Sequence, residues 1–242
     1  MDAPDPVYLV EGGVPLRGEV PLQGAKNAAL PLIAASLLTE EDLILENVPR
    51  LEDTLDLGRF LKLLGVSIRR EGERLTLSSR SLSTTMIPEG FQNRTRHSLL
   101  ALGPLLARYG EAEIAFPSGC PIGDRRFDYH LEGLSRMGAR LSLLPDRIRG
   151  KARALKGADF DFPYPSFSGT LNLLFAASLA RGMTVLRNAA VNPEVDDAIA
   201  CLISMGARVE GRGTRTLRVE GVGKLHGVRH RVMSDRIEHF PL

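Results

Sequence analysis

The chain has 242 residues, 43% hydrophobic and 25% charged, with a formal net charge of +2, ordinary values for a globular protein with enough length for a real core. That small charge gives no nucleic-acid signal, no apolar run approaches the roughly 18 residues of a membrane span, and Met1-Asp2-Ala3-Pro4-Asp5 lacks the basic and apolar regions of a signal peptide. Two distant cysteines, Cys120 and Cys201, make no metal pattern and predict a reduced, soluble, cytoplasmic protein.

Taken in chain order, the predicted elements repeat. An almost wholly apolar helix over 28–38 leads to a short strand over 43–45. An amphipathic helix over 57–64 then ends at Gly65, and a hairpin follows over 67–77. The second round has an apolar helix over 98–107, a strand over 113–116, and an amphipathic helix over 131–137 ended by Gly138. Its hairpin is less clear, and the charged run over 147–153 is expected to be a solvated strand edge. The third round has an apolar helix over 172–180, a strand over 184–186, a helix over 199–205 ended by Gly206, and a hairpin over 208–219.

The capping glycines stand 73 and then 68 residues apart. That period is too long for a solenoid and suits a compact subdomain. Helices apolar all round belong inside. The predicted fold class is therefore α/β: an inside-out, barrel-like domain of three helix-strand-helix-strand-strand units, with helices buried and sheets outside.

One copy is longer than the others. From Asn47 to Gly65 is 18 residues, as is Asn188 to Gly206, but Pro117 to Gly138 is 21. The extra residues fall at Gly119-Cys120-Pro121, just before Arg125 and Arg126. A loop lengthened in one copy points to function rather than architecture, and its glycine-flanked cysteine suits an exposed, reactive thiol. Cys201, on an apolar helix face, is expected to be packed.

Lys26, Arg96 and Ser168 share nearly one phase of the repeat, where the apolar helices begin. Helix starts present unpaired N–H groups and a partial positive charge, which hold anions. Asn27 adds a hydrogen-bond partner, and Arg125 and Arg126 add charge, so a phosphate or diphosphate is the expected ligand. Plainer readings stand beside this one: Lys26 as a solvated lysine, Arg96 as the partner of an acidic residue, Asp128 as a helix cap, His130 as a cap or core partner.

These residues resemble the N-terminal half of the UDP-N-acetylglucosamine enolpyruvyl transferases (1-carboxyvinyltransferases), within the EPSP synthase-like superfamily. The resemblance rests on Gly24-Ala25-Lys26-Asn27-Ala28-Ala29-Leu30-Pro31, on 101–110, on glycine-flanked Cys120, on Ser166-Phe167-Ser168-Gly169-Thr170, and on Ser234-Asp235-Arg236-Ile237-Glu238. It spans about residues 8–238. The shikimate-pathway enzyme of the superfamily shares the fold but lacks the loop cysteine, and ranks lower.

The resemblance implies transfer of the enolpyruvyl group of phosphoenolpyruvate to the 3′-hydroxyl of a UDP-sugar in peptidoglycan precursor synthesis, with no metal or organic cofactor. Carried over by position, Cys120 is the general acid. Lys26, Arg96 and Arg125 hold phosphate and carboxylate, with Asn27 beside them. Arg125, Arg126, Phe127, Asp128 and Tyr129, with Ser166, Phe167 and Ser168, hold the uridine diphosphate.

It also implies a division of the chain. Residues 1–25 form a strand segment belonging to the family's second domain. Residues 26–232 form the first domain, with repeats at about 26–80, 96–155 and 166–220, and 233–242 are a linker stub. The second domain is absent from the chain, so turnover would need a second-domain protein supplied in trans. Arg126 stands where the family has proline, and Phe127, Tyr129, Tyr164 and Phe167 where it has aliphatic or basic residues. Two alternatives stay open: an enolpyruvyl transferase for another uridine nucleotide, and a non-catalytic nucleotide-binding or regulatory protein.

Overall fold

The computed structural model describes residues 9, 11–13, 18–19, 21–88, 96–116 and 128–239. Its first helix, α1 (Lys26–Ala35), buries every residue from Ala28 to Ala35, because its sequence leaves no polar face to turn outward. A 3-10 turn (Ser36–Leu38) leads to β1 (Leu43–Glu46), the amphipathic α2 (Glu52–Leu63), and the hairpin of β2 (Ser67–Glu71) and β3 (Arg74–Ser78). The middle copy opens on a 3-10 helix (Arg96–Ala101) that runs into α3 (Leu102–Tyr109). After it come β4 (Glu111–Ala115), α4 (Asp128–Arg136), β5 (Arg140–Leu143) and β6 (Arg147–Lys151). A short β7 (Asp159–Asp161) precedes α5 (Phe167–Ser178), β8 (Met183–Arg187), α6 (Pro193–Ser204), β9 (Arg208–Glu210) and β10 (Thr216–Glu220). β11 (Arg229–Arg231) and α7 (Arg236–His239) follow. The predicted five-element unit recurs three times, with α1, α3 and α5 inside. Among the described residues no helix is long and apolar enough to cross a membrane.

The three predicted capping glycines share one geometry. Gly65, Gly138 and Gly206 have φ of 97°, 94° and 100°, the left-handed region that costs glycine least. In each, the glycine N–H donates to the carbonyl three residues back, and the next residue's N–H donates to the carbonyl five back. This double closure satisfies the last carbonyls of α2, α4 and α6. It also turns Val66, Ala139 and Ala207 into the core.

Each unit places its strands in a separate sheet, in the orders β11-β1-β3-β2, β4-β6-β5 and β7-β8-β10-β9. The outermost strand of the first and third sheets is one the sequence pattern did not predict. β11 runs parallel to β1, and β7 parallel to β8. On the matching edge of the middle sheet, the Thr85 carbonyl accepts from the Glu113 N–H at 2.9 Å. Each sheet thus borrows an edge from a neighbouring stretch of chain, and β11, late in the sequence, closes onto β1 near its start.

Asn47 and Asn188 mark the equivalent corner in the first and third units. Both hold positive φ, 59° and 50°, which asparagine tolerates better than most residues. Their side-chain amides donate to carbonyls just beyond the borrowed strands: Asn47 to Val232 at 3.1 Å, Asn188 to Phe162 at 2.7 Å.

The charged run over 147–153 departs from expectation. β6 is the central strand of its sheet, not a solvated edge. Arg147 is nearly buried and pairs with Glu113 at 2.6 Å, while Arg149 reaches the other Glu113 oxygen at 2.8 Å. A buried carboxylate demands this much compensation, and the alternating arginines provide it.

Candidate anion-binding site

The inner helices are joined through α3 and the turn before it. The N–H of Gly103, at the start of α3, donates to the side chain of Asn172, midway along α5, at 2.7 Å. α1 and α5 both pack against the 3-10 helix that begins at Arg96. The far ends of α3 and α5 lie together. A cavity of about 570 Å³ there is lined by Leu106–Glu111 and Leu179–Arg181, and it holds none of the predicted site residues. The predicted anion site is at the opposite end.

Lys26 is the first residue of α1. Its ammonium pairs at 2.8 Å with Asp53 in the first turn of α2, and both side chains are 38% exposed. The pair holds the lysine over the helix start while leaving it open to solvent. Ala25, before it, offers no side-chain cap, so the first N–H groups of α1 keep their capacity for an anion. Asp53 was not predicted; its position as an acidic residue opening a helix was the available signal.

At α5, Ser166 is the cap, its hydroxyl accepting from Gly169 N–H at 3.2 Å. Phe167 and Ser168 form the first turn, as the repeat phase predicts. Phe167 packs on the core, as does Tyr129 of α4. Asp128 lies in the first turn of α4. His130 is 1% exposed and touches Ser168 and Asn172, which makes it a core partner. Arg96 opens the 3-10 helix rather than an α-helix. Cys120, Arg125, Arg126 and Phe127, and the side chain of Arg96, lie outside the described residues.

Cys201 behaves as predicted for a packed thiol. It is fully buried on α6, and burial pushes its thiol up to about 12, with the nearby Asp197 charge adding to the rise. Near the chain's end, Arg236 of α7 donates to Glu194 of α6 at 2.9 Å, a contact between two distant helix starts that no local pattern announces. Among the described residues no three His, Cys, Asp or Glu side chains cluster as metal ligands would. The donors at this end suit an oxyanion.

Comparison with known proteins agrees in fold and in sequence. The family model for EPSP synthase (3-phosphoshikimate 1-carboxyvinyltransferase) matches residues 10–241. The UDP-N-acetylglucosamine 1-carboxyvinyltransferase of Granulibacter bethesdensis is 48% identical over 236 residues, covering 95% of this chain and 55% of that protein. The protein of the same name from Nitratidesulfovibrio vulgaris is 47% identical over 230 residues, with the same coverage. The chain spans about half the length of the curated relatives it matches. The solved enolpyruvyl transferase NikO from Streptomyces tendae superposes with a TM-score of 0.81 at 24% identity, over 94% of this chain and 54% of that one. EPSP synthase from Acinetobacter baumannii gives 0.70 at 20% identity, over 90% and 50%. These two likenesses are of fold.

Proposed function

The chain belongs to the EPSP synthase (3-phosphoshikimate 1-carboxyvinyltransferase) family, and from that premise we propose that it carries one half of an enolpyruvyl transferase site for a UDP-sugar such as UDP-N-acetylglucosamine. The observation that carries this reading is the identity of 45–48% across 95% of the chain with proteins named for that reaction. The other half of the site comes from sequence equivalent to the rest of those relatives.

In this reading Lys26, Arg96 and Arg125 hold the phosphate and carboxylate of phosphoenolpyruvate, and Asn27 stands beside them. Fixed cations at a helix start stabilise charge as it develops on the departing phosphate. Cys120 gives its thiol proton to C3 of phosphoenolpyruvate while the sugar 3′-hydroxyl passes its proton to a base in the other half of the site and its oxygen bonds to C2. Return of a C3 proton to the Cys120 thiolate, with departure of the phosphate carrying the proton held by that base, then restores the double bond and both groups. Arginines beside the cysteine favour the thiolate that this step leaves. Residues 125–129 and 166–168 hold the uridine diphosphate. Arg126 and the aromatic residues around it favour, as a second reading, a different uridine nucleotide as acceptor.

The test is phosphate release from phosphoenolpyruvate and UDP-N-acetylglucosamine. The chain is assayed alone and mixed with the separately expressed remaining half of the Granulibacter relative. Release in the mixture, lost in Cys120→Ala, is the expected result. Nucleotide binding without release in any mixture supports a non-catalytic binding protein instead.

A further inference from the structure

Four groups between α3, α4 and α5 form a chain of hydrogen bonds whose direction is fixed from one end. The Gly103 N–H can only donate, and it donates to Asn172 Oδ1 at 2.7 Å. The oxygen of that amide is thereby identified, so its other atom is the NH₂ group. Asn172 Nδ2 lies 2.8 Å from His130 Nδ1 and donates to it. An Nδ1 that accepts carries no proton, so the imidazole proton sits on Nε2. His130 Nε2 lies 3.1 Å from Ser168 Oγ, and the N–H there donates to the hydroxyl oxygen.

The consequence falls on Ser168. With its oxygen accepting from His130, its own hydrogen is left to donate elsewhere, and among the described residues no acceptor meets it. Ser168 is half-buried in the first turn of α5, while His130 and Asn172 are buried. Two buried side chains thus set the polarity of a third that reaches the helix start. The close approach is permitted by Gly103, where an added Cβ would fall 2.4 Å from the Asn172 carbonyl oxygen.

We propose that Ser168 is a hydrogen-bond donor to the diphosphate of the bound nucleotide, and that His130 and Asn172 are positioning residues that hold its hydroxyl in the donor sense. The assignment rests on the nucleotide reading above and adds to it which group donates and what orients it. The two buried members, His130 and Asn172, hold a fixed geometry because each has its partners in the network.

Two measurements on the whole chain test it. Long-range ¹H–¹⁵N correlation spectra of ¹⁵N-histidine-labelled protein read the tautomer directly: His130 gives the Nε2–H pattern, and Asn172→Ala gives a mixture of tautomers. Calorimetric titration reads the ligand side. Ser168→Ala weakens UDP and UDP-N-acetylglucosamine by about tenfold, the scale of a hydrogen bond to a charged group, and leaves uridine unchanged, while Ser168→Thr retains the affinity. Asn172→Ala weakens UDP about threefold alone and not at all in the Ser168→Ala background, as coupled residues do.

An Nδ1–H tautomer in the wild type overturns the proposal, whatever the binding. Equal UDP affinity in wild type and Ser168→Ala also overturns it, while the nucleotide reading survives. Absence of UDP binding by the wild type sinks the nucleotide reading itself, and the assignment of Ser168 falls with it.

Discussion

A thiol reacts as thiolate, so its surroundings decide which cysteine an electrophile finds. Cys201 lies fully buried with its thiol pushed up to about 12, leaving a negligible thiolate fraction at neutral pH. A phosphoenolpyruvate-like epoxide should therefore label Cys120 and spare Cys201 in the folded chain, with both labelled in denaturant. Peptide mass spectrometry reads the outcome, and native labelling of Cys201 at the rate of Cys120 would contradict the argument. At this scale the sequence was legible wherever one residue's neighbours in the chain set its state. The apolar run around Cys201 announced burial, and repeat phase placed Lys26 and Ser168 at helix starts. It was illegible where the partner comes from another element. Nothing near His130 names Asn172 as its donor, and nothing in the charged run over 147–153 says that a buried Glu113 from β4 lies across from it.

Between elements, one acidic residue holds the loop before β11. Glu41, between the first 3-10 turn and β1, pairs with Lys224 at 3.0 Å and His226 at 3.3 Å, and accepts from Gly227 N–H at 3.0 Å. The Lys224 ammonium first, then the Gly227 amide and His226, hold its carboxyl down from the usual 4.5 to about 2. A depressed folded value means the tether is fully present above the unfolded value near 4.5 and is lost as pH falls through 2. At pH 3.5 an ordinary glutamate is mostly protonated, whereas Glu41 still holds. Hydrogen exchange at Gly227, corrected for its intrinsic pH dependence, should show equal protection at pH 6 and pH 3.5 in the wild type, and clearly less in Glu41→Ala at both. Protection that falls between pH 6 and 3.5 would mean that the carboxyl titrates normally. Short borrowed strands, such as the β11 that follows this tether, were hardest to foresee. Helices ended by glycine announce themselves through a local bond pattern, but β7 and β11 are three-residue strands paired in parallel with distant ones. Such strands have too few residues to show alternation, and their partners lie outside any window.

Across the whole molecule, the three units hold together because each sheet takes an edge from a neighbouring stretch, and the ring is complete only when β11 reaches β1. Asn47 and Asn188 are the corresponding fasteners. Each combines a left-handed backbone with an amide that grips the chain beyond the borrowed strand. Alanine at either position loses a hydrogen bond of about 1 kcal/mol and gives up asparagine's tolerance of the left-handed conformation, at about 1 kcal/mol more. About 2 kcal/mol lowers Tm by about 4–8 °C in a domain of this size. Glycine relieves the backbone cost and loses only the amide, so Asn47→Gly and Asn188→Gly should fall about half as far as their alanine counterparts. Thermal unfolding followed by circular dichroism checks both comparisons. A glycine variant melting as low as alanine would show that the left-handed backbone carries none of the cost. The closure makes a further demand on the same curves. Because Asn47 fastens the last sheet strand to the first unit, weakening it should shift one cooperative transition rather than release the first unit alone. Two resolved transitions in Asn47→Ala would mean that the units are independent and that the threefold repeat is a string rather than a ring.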